Sequence, residues 1–294
     1  MEASTFMNGS GRVIGVTEFG DRAAERVVVF SHPAPGSSFF NPDPVATASR
    51  GVRVIAVDRP GYGDSELHAD GSSGTVADAA VDVADYLASQ NIGRVGAVGW
   101  SAGGRVALAL AAAFPELVDR VAVVATPAPD EDVPWVGDEN RAMARSLAEL
   151  PAGEATSALV SLFTQMMGVD PTGESLMPFL GTDPADADTR EDAAVRLAIM
   201  LDRAAAQGVV GMAADIVSYT IHAWGFDPGS IAAKTLLLYG GADSLITSAH
   251  AQWYKKHVPD SRVEMVPGTG HLLIVPMWDR VLSHLAPGTR MSPA

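Results

Sequence analysis

The feature that most narrows the folds open to this chain is a set of short segments that are apolar on both alternate faces. Residues 27–30, 52–57, 95–100 and 118–124 are short, rich in valine and show little polar alternation. A strand that faces water on one side alternates; a strand covered on both sides does not. Stretches with helical spacing lie between and after them. Residues 75–90 place Val76, Ala80, Val83, Ala84 and Leu87 on one face, and residues 102–114 form an alanine- and leucine-rich helix stopped by Pro115. The rhythm returns late, with a strand over 235–239, a helix over 248–257, a strand over 262–266 and a mostly helical stretch over 272–285 that has Pro276 near its start. Residues 6–8 and 12–19, split by Gly9-Ser10-Gly11, read as a leading hairpin. Buried strands separated by helices predict an α/β class fold: a mostly parallel central sheet of about eight strands with helices on both faces.

Residues 129–228 break that rhythm. They hold 17 acidic residues against 5 arginines, a net of −12 out of −15 for the chain. This predicts an inserted, mainly helical cap over 129–228, set between core segments 1–128 and 229–294. Within it, residues 168–192 are rich in Pro, Gly, Asp and Thr and read as a long loop. The acidic balance disfavours nucleic acid and anionic lipid as partners. The absence of cysteine excludes disulfides, thiolate zinc sites and a cysteine nucleophile. The longest obvious apolar run, 106–114, has nine residues, whereas a membrane span needs roughly 20. Residues 1–20 show no basic-then-apolar leader pattern. The expectation is a cytoplasmic monomer or homodimer acting on a small molecule, with no nucleic-acid or membrane partner. His68, His222, His250, His257 and His284 lack metal-ligand spacing, so no metal and no cofactor is expected.

The chemistry is carried by Gly99-Trp100-Ser101-Ala102-Gly103, which follows a strand and opens a helix. A strand turned sharply into a helix strains the central residue and leaves no room for side chains two positions away. Glycines therefore flank a serine whose oxygen projects at a helix N-terminus. Such a hydroxyl needs a base, and the base needs an orienting carboxylate. Asp243 and His271 both follow late strands and are both preceded by glycines. Strand C-terminal ends are where open α/β sheets place their sites. Asp130 and Asp132, after the strand over 118–124, are the alternative acids.

These stations resemble the α/β-hydrolase fold superfamily, and within it the small cap-bearing serine esterase/aminopeptidase-like branch. The resemblance covers almost the whole chain. It rests on residues 31–38 (Ser-His-Pro-Ala-Pro-Gly-Ser-Ser), 58–65 (Asp-Arg-Pro-Gly-Tyr-Gly-Asp-Ser), 99–103, the late Asp243 and His271, and 224–227 (Trp-Gly-Phe-Asp). It implies Ser101 as nucleophile, His271 as base and then acid, and Asp243 as orienter. It also implies oxyanion donors at the backbone N–H groups of Ala102 and of the 32–36 loop. Pro33 and Pro35 have no N–H, which leaves Ala34 in that loop. Trp100 and His32, beside these groups, are expected to contact substrate. A serine at position 101 argues against relatives that use an aspartate nucleophile.

The expected reaction is hydrolysis of a carboxylic ester or lactone of a small, neutral, largely apolar substrate through an acyl-enzyme. Neutrality is inferred from the charge of 129–228, which would repel anions if it faced the cleft. The alternatives are an aminopeptidase-like amide hydrolase, a non-hydrolytic triad enzyme (lyase, cyclase or cofactor-free peroxidase) and a ligand-binding receptor on the same scaffold.

Overall fold

In the computed structural model, which describes residues 1–288, eight strands form one sheet in the order β1-β2-β4-β3-β5-β6-β7-β8. They are β1 (Glu2–Met7), β2 (Val13–Gly20), β3 (Val27–Ser31), β4 (Arg53–Val57), β5 (Val95–Trp100), β6 (Val118–Val124), β7 (Lys234–Gly240) and β8 (Ser261–Val266). β2 runs antiparallel to β1 and β4, and the other pairings are parallel. The valine-rich runs occupy the centre, as their lack of alternation requires. Val27, Val29, Ala97, Val121, Val123 and Leu237 face one apolar layer. Their alternates Val28, Phe30, Val98, Ala122, Val124 and Leu238 face the other.

Helices α1 (Pro44–Arg50), α2 (Val76–Ser89) and α3 (Gly103–Ala113) connect strands in the first half. The α2 helix starts with a capping box in which Thr75 and Asp78 exchange side-chain bonds to each other's backbone N–H. The α1 helix was not foreseen, although its signals are present. Asp43 accepts from the Val45 and Ala46 N–H groups, Pro44 takes the first turn, and Gly51 closes the helix at φ 57°.

Between β6 and β7 the chain forms α4 (Asp138–Leu147), α5 (Ala152–Met167), α6 (Gly173–Leu176), α7 (Ala187–Asp192), α8 (Ala194–Ala204) and α9 (Val210–Ile216). The expected loop over 168–192 is instead a chain of short helical turns: α6, two 3-10 turns (Met177–Leu180 and Pro184–Asp186) and α7. The Pro and Asp residues that suggested a loop serve here as caps and first-turn residues. Asp183, for example, caps the turn that Pro184 opens. Helices α10 (Ser248–His257) and α11 (Trp278–Leu285) complete the second half. Pro276 separates α11 from a 3-10 turn at His271–Ile274. No single described helix is long and apolar enough to cross a membrane.

Where the chain leaves β6 for the inserted helices, His250 on α10 holds it. The buried imidazole accepts the Ala128 N–H through Nδ1 at 3.0 Å. Burial, and then the charge of Arg105, push its pKa down from 6.5 to about 4. The unfolded chain therefore takes up a proton at this residue before the folded chain does. Stability from this group is present above pH 6.5 and is lost as pH falls toward 4. A His250→Gln variant has no such titration. Its stability deficit against the unsubstituted protein should shrink by about 3 kcal/mol between pH 7 and pH 4. Paired urea unfolding curves at the two pH values measure this, and a deficit that stays constant refutes it.

Candidate active site

Ser101 sits at the β5-to-α3 turn with φ 54°, in the left-handed region. A non-glycine residue holds that conformation only where its surroundings impose it. The neighbours show how. A Cβ on Gly99 would lie 2.1 Å from the Gly103 carbonyl oxygen, and one on Gly103 would lie 2.1 Å from that of Ser31. The Ser101 N–H is tied to the Val124 carbonyl at 2.8 Å. The turn is thus packed backbone against backbone, and the Ser101 side chain is directed outward, half-buried, into a cavity of about 140 Å³.

His271 lines the same cavity. Its Nδ1 lies 2.8 Å from Asp243 Oδ2. A carboxylate can only accept, so Nδ1 carries the proton and Nε2 presents a lone pair. The other oxygen of Asp243 accepts from the Leu245 and Ile246 N–H groups at 3.0 and 2.7 Å, which fixes the carboxylate in place. Among the described residues no hydrogen bond is made by Ser101 Oγ; nucleophile–base contacts are often long in unliganded enzymes. The alternative acids lie elsewhere. Asp130 accepts from the Trp135 and Val136 N–H groups and pairs with Arg141, while Asp132 accepts from the Trp253 indole.

Ala34 and Ala102 also line the cavity, and neither N–H is bonded to another described residue. The direction of the Ala34 N–H follows from the group behind it. The Pro33 carbonyl accepts from Arg59 Nη2 and from His32 Nδ1, both at 2.8 Å. Across a trans peptide the N–H points opposite to the C=O, so anchoring the Pro33 carbonyl on one side aims the Ala34 N–H to the other. His32 is locked in one tautomer because its Nε2 accepts the Arg59 N–H. Burial, and then the Arg59 charge, hold its pKa well below the usual imidazole value, so it stays neutral.

His32 and Trp100 therefore require a correction. Both are fully buried, and neither lines the cavity. His32 orients the loop that carries Ala34. Trp100 lies under the site: its indole donates to the His271 carbonyl at 3.0 Å and its ring packs on Phe40 and His271.

Three further acids come from the inserted segment and were missed. Asp215 on α9 makes a two-point pair with Arg59, at 2.8 and 2.6 Å. Buried Asp186 accepts the backbone N–H groups of His271 and Leu272 at 2.9 and 3.1 Å. Asp183 accepts from the N–H and hydroxyl of Ser244, beside Asp243. A signal for Asp215 is legible, since a lone carboxylate in the apolar run Met212–Val217 must find a partner if buried. Asp186 carries no such mark, because its stretch contains several other acids.

The remaining cavity wall is mostly apolar and includes Trp135, Phe179, Leu180, Met212, Ile216 and Tyr219 from the inserted segment. Among the described residues no carboxylate lines it. The segment's charge points outward instead, with Glu131, Asp138, Glu139, Glu149, Asp170 and Asp188 all exposed. The premise for a neutral substrate, a cleft facing those acids, therefore fails.

A family model for the alpha/beta hydrolase fold matches residues 26–276, and the chain belongs to that family. It is 25% identical over 232 residues to a pimeloyl-[acyl-carrier protein] methyl ester esterase of Nitrosomonas europaea, covering 77% of this chain and 81% of that one. Two solved structures share the fold at a TM-score of 0.67. One is a thermophilic esterase from Thermogutta terrifontis, at 19% identity over 96% of this chain and 95% of the other. The second is an enol-lactonase from Burkholderia xenovorans, at 21% identity over 95% and 96%.

The Asp186 contacts give a test. In Asp186→Asn the amide can accept one N–H but turns a donor toward the second. kcat on a simple ester should fall by about 10- to 100-fold, the cost of one mispaired buried contact, with KM changed less than threefold. Steady-state kinetics on folded protein, checked by circular dichroism, decide it; an unchanged kcat would remove Asp186 from the site's support.

Proposed function

We propose that the protein is a serine hydrolase that cleaves a carboxylic ester or lactone with a small, largely apolar body. The observation that carries this reading is the 2.8 Å contact from His271 Nδ1 to Asp243, with the imidazole in the wall of the cavity that Ser101 enters. In the proposed reaction Ser101 Oγ attacks the carbonyl carbon while His271 Nε2 takes its proton. The carbonyl oxygen becomes an oxyanion held by the N–H groups of Ala34 and Ala102. His271 returns the proton to the departing alkoxide, which leaves as the alcohol, or stays attached if the substrate is a lactone. Water then gives a proton to His271 and attacks the acyl-enzyme; the acid leaves and Ser101 regains its proton.

Residues 129–228 act in this reading as a cap over a core of 1–128 and 229–294. Trp135, Phe179, Met212 and Tyr219 form its share of the cavity wall. The ester and lactone activities named for the relatives agree with this bond type.

A fluorophosphonate probe should label the protein at Ser101, mapped by peptide mass spectrometry. Ser101→Ala and His271→Ala should each lower kcat on a labile ester by on the order of 10⁴- to 10⁶-fold, and Asp243→Asn somewhat less. Failure of the probe to label Ser101, with ester turnover equal in Ser101→Ala, would end the proposal.

A further inference from the structure

One side chain in the cavity wall is left without the partners its chemistry demands. Arg105, on the first turn of α3 and four residues after Ser101, is fully buried and lines the cavity. Its Nη2 donates to the Pro127 carbonyl at 2.9 Å. Its Nε and Nη1 have no hydrogen-bond partner, so at least three of its five N–H bonds lack an acceptor. Among the described residues it has no ion pair, in contrast to buried Arg12 and Arg59, each of which is matched to a carboxylate. What surrounds it is aromatic. Its guanidinium carbon lies 4.6 Å from the Tyr219 ring centre, 4.9 Å from that of Trp224 and 5.9 Å from that of Trp135. The Tyr254 phenol, itself bonded to Pro127, stands alongside.

An unmatched guanidinium is among the most costly groups to bury, and ring faces repay only part of that cost. The cage holds the cation in place, and the nearby Tyr254 phenol oxygen still leaves Nε and Nη1 without an acceptor. The missing acceptor is therefore sought in what enters the cavity, since none of the described residues lining it carries a carboxylate.

We propose that Arg105 is the docking group for a carboxylate carried by the substrate, so that the enzyme acts on an ester or lactone of a dicarboxylic acid or a similarly mono-anionic acyl compound. This rests on the hydrolase reading above for the reacting bond and adds the second end of the substrate. One fixed cation balances the single charge of a carboxylate and would leave a doubly charged phosphate partly unpaired, while its planar fork suits a carboxylate's two oxygens. Arg105 lies four residues after Ser101, both line the same cavity, and its volume of about 140 Å³ admits only a compact acyl chain. The apolar wall would take the methylene spacer and Arg105 the far end. The acidic exterior does not oppose this, because it faces water.

The test compares p-nitrophenyl half-esters of adipic to suberic acid with the same diesters methyl-capped at the far carboxyl. The unsubstituted protein should prefer the best half-ester by about 100-fold in kcat/KM, the usual worth of a desolvated charge pair. Arg105→Gln should abolish that preference, and Arg105→Lys should restore part of it, which separates loss of the cation from loss of packing. Binding is read independently by titrating adipate into Ser101→Ala by calorimetry, with 1,6-hexanediol as the uncharged control. The inference is overturned if the unsubstituted protein cleaves capped and uncapped esters equally and adipate binds no better than the diol. If no ester is cleaved yet adipate binds in an Arg105-dependent way, the hydrolase reading fails and the carboxylate site stands.

Discussion

The arrangement around Ser101 depends on one buried ion pair between Arg59 and Asp215. Both side chains are almost fully buried, and the contact is two-pronged. Such a pair adds little net stability, since removing two charges from water costs several kcal/mol per ion, but breaking it strands a charge. Its value here is geometric. With two nitrogens committed to Asp215, Arg59 reaches the carbonyls of His32 and Pro33. The peptide plane between Pro33 and Ala34 is thereby set, and with it the N–H proposed to face the oxyanion. Asp186 does the corresponding work on the opposite wall, holding the backbone of His271. Two acids from the segment between β6 and β7 thus brace the two sides of a site whose candidate groups, Ser101, Asp243 and His271, follow β5, β7 and β8.

The sheet and the site were unequally legible. Runs such as Val95–Trp100 lack alternation because helices cover both faces, so hydrophobic pattern alone located them. Ser101, Asp243 and His271 stood out because tight turns demand glycine and strand ends collect chemistry. Trp100 and His32 neighbour Ser101 and the Ala34 loop in the chain, yet both side chains are fully buried away from the cavity, Trp100 against Phe40 and His271 and His32 against Arg59 and Tyr62. Asp186 carried no mark of its role, and the apolar run around Asp215 showed only that it needs a partner, not which one, because their partners are 85 and 156 positions away. Short helical turns between 168 and 192 were hidden for a local reason: Pro, Asp and Gly punctuate loops and cap helices alike.

Charge illustrates the difference between composition and placement. The inserted segment is strongly acidic, and that average suggested a field hostile to anions. Its acids divide into an exposed majority, screened by water and salt within a Debye length of about 10 Å, and a buried few already bound to N–H groups or arginine. What is left facing the cavity is a single cation among rings. Sign and position, and not the sum, set what can approach Ser101.

The bracing by Asp186 and Asp215 has a bearing on how such proteins diversify. An inserted segment looks like an exchangeable module, free to vary while the catalytic floor stays constant. In this chain the module carries two struts of that floor. Transplanting a foreign insert would therefore change more than ligand preference: unless acids recur at equivalent points, the recipient would lose alignment at the histidine and at the proposed oxyanion loop together. Innovation by wholesale exchange is constrained, and gradual drift of the wall residues between the struts is the easier evolutionary route.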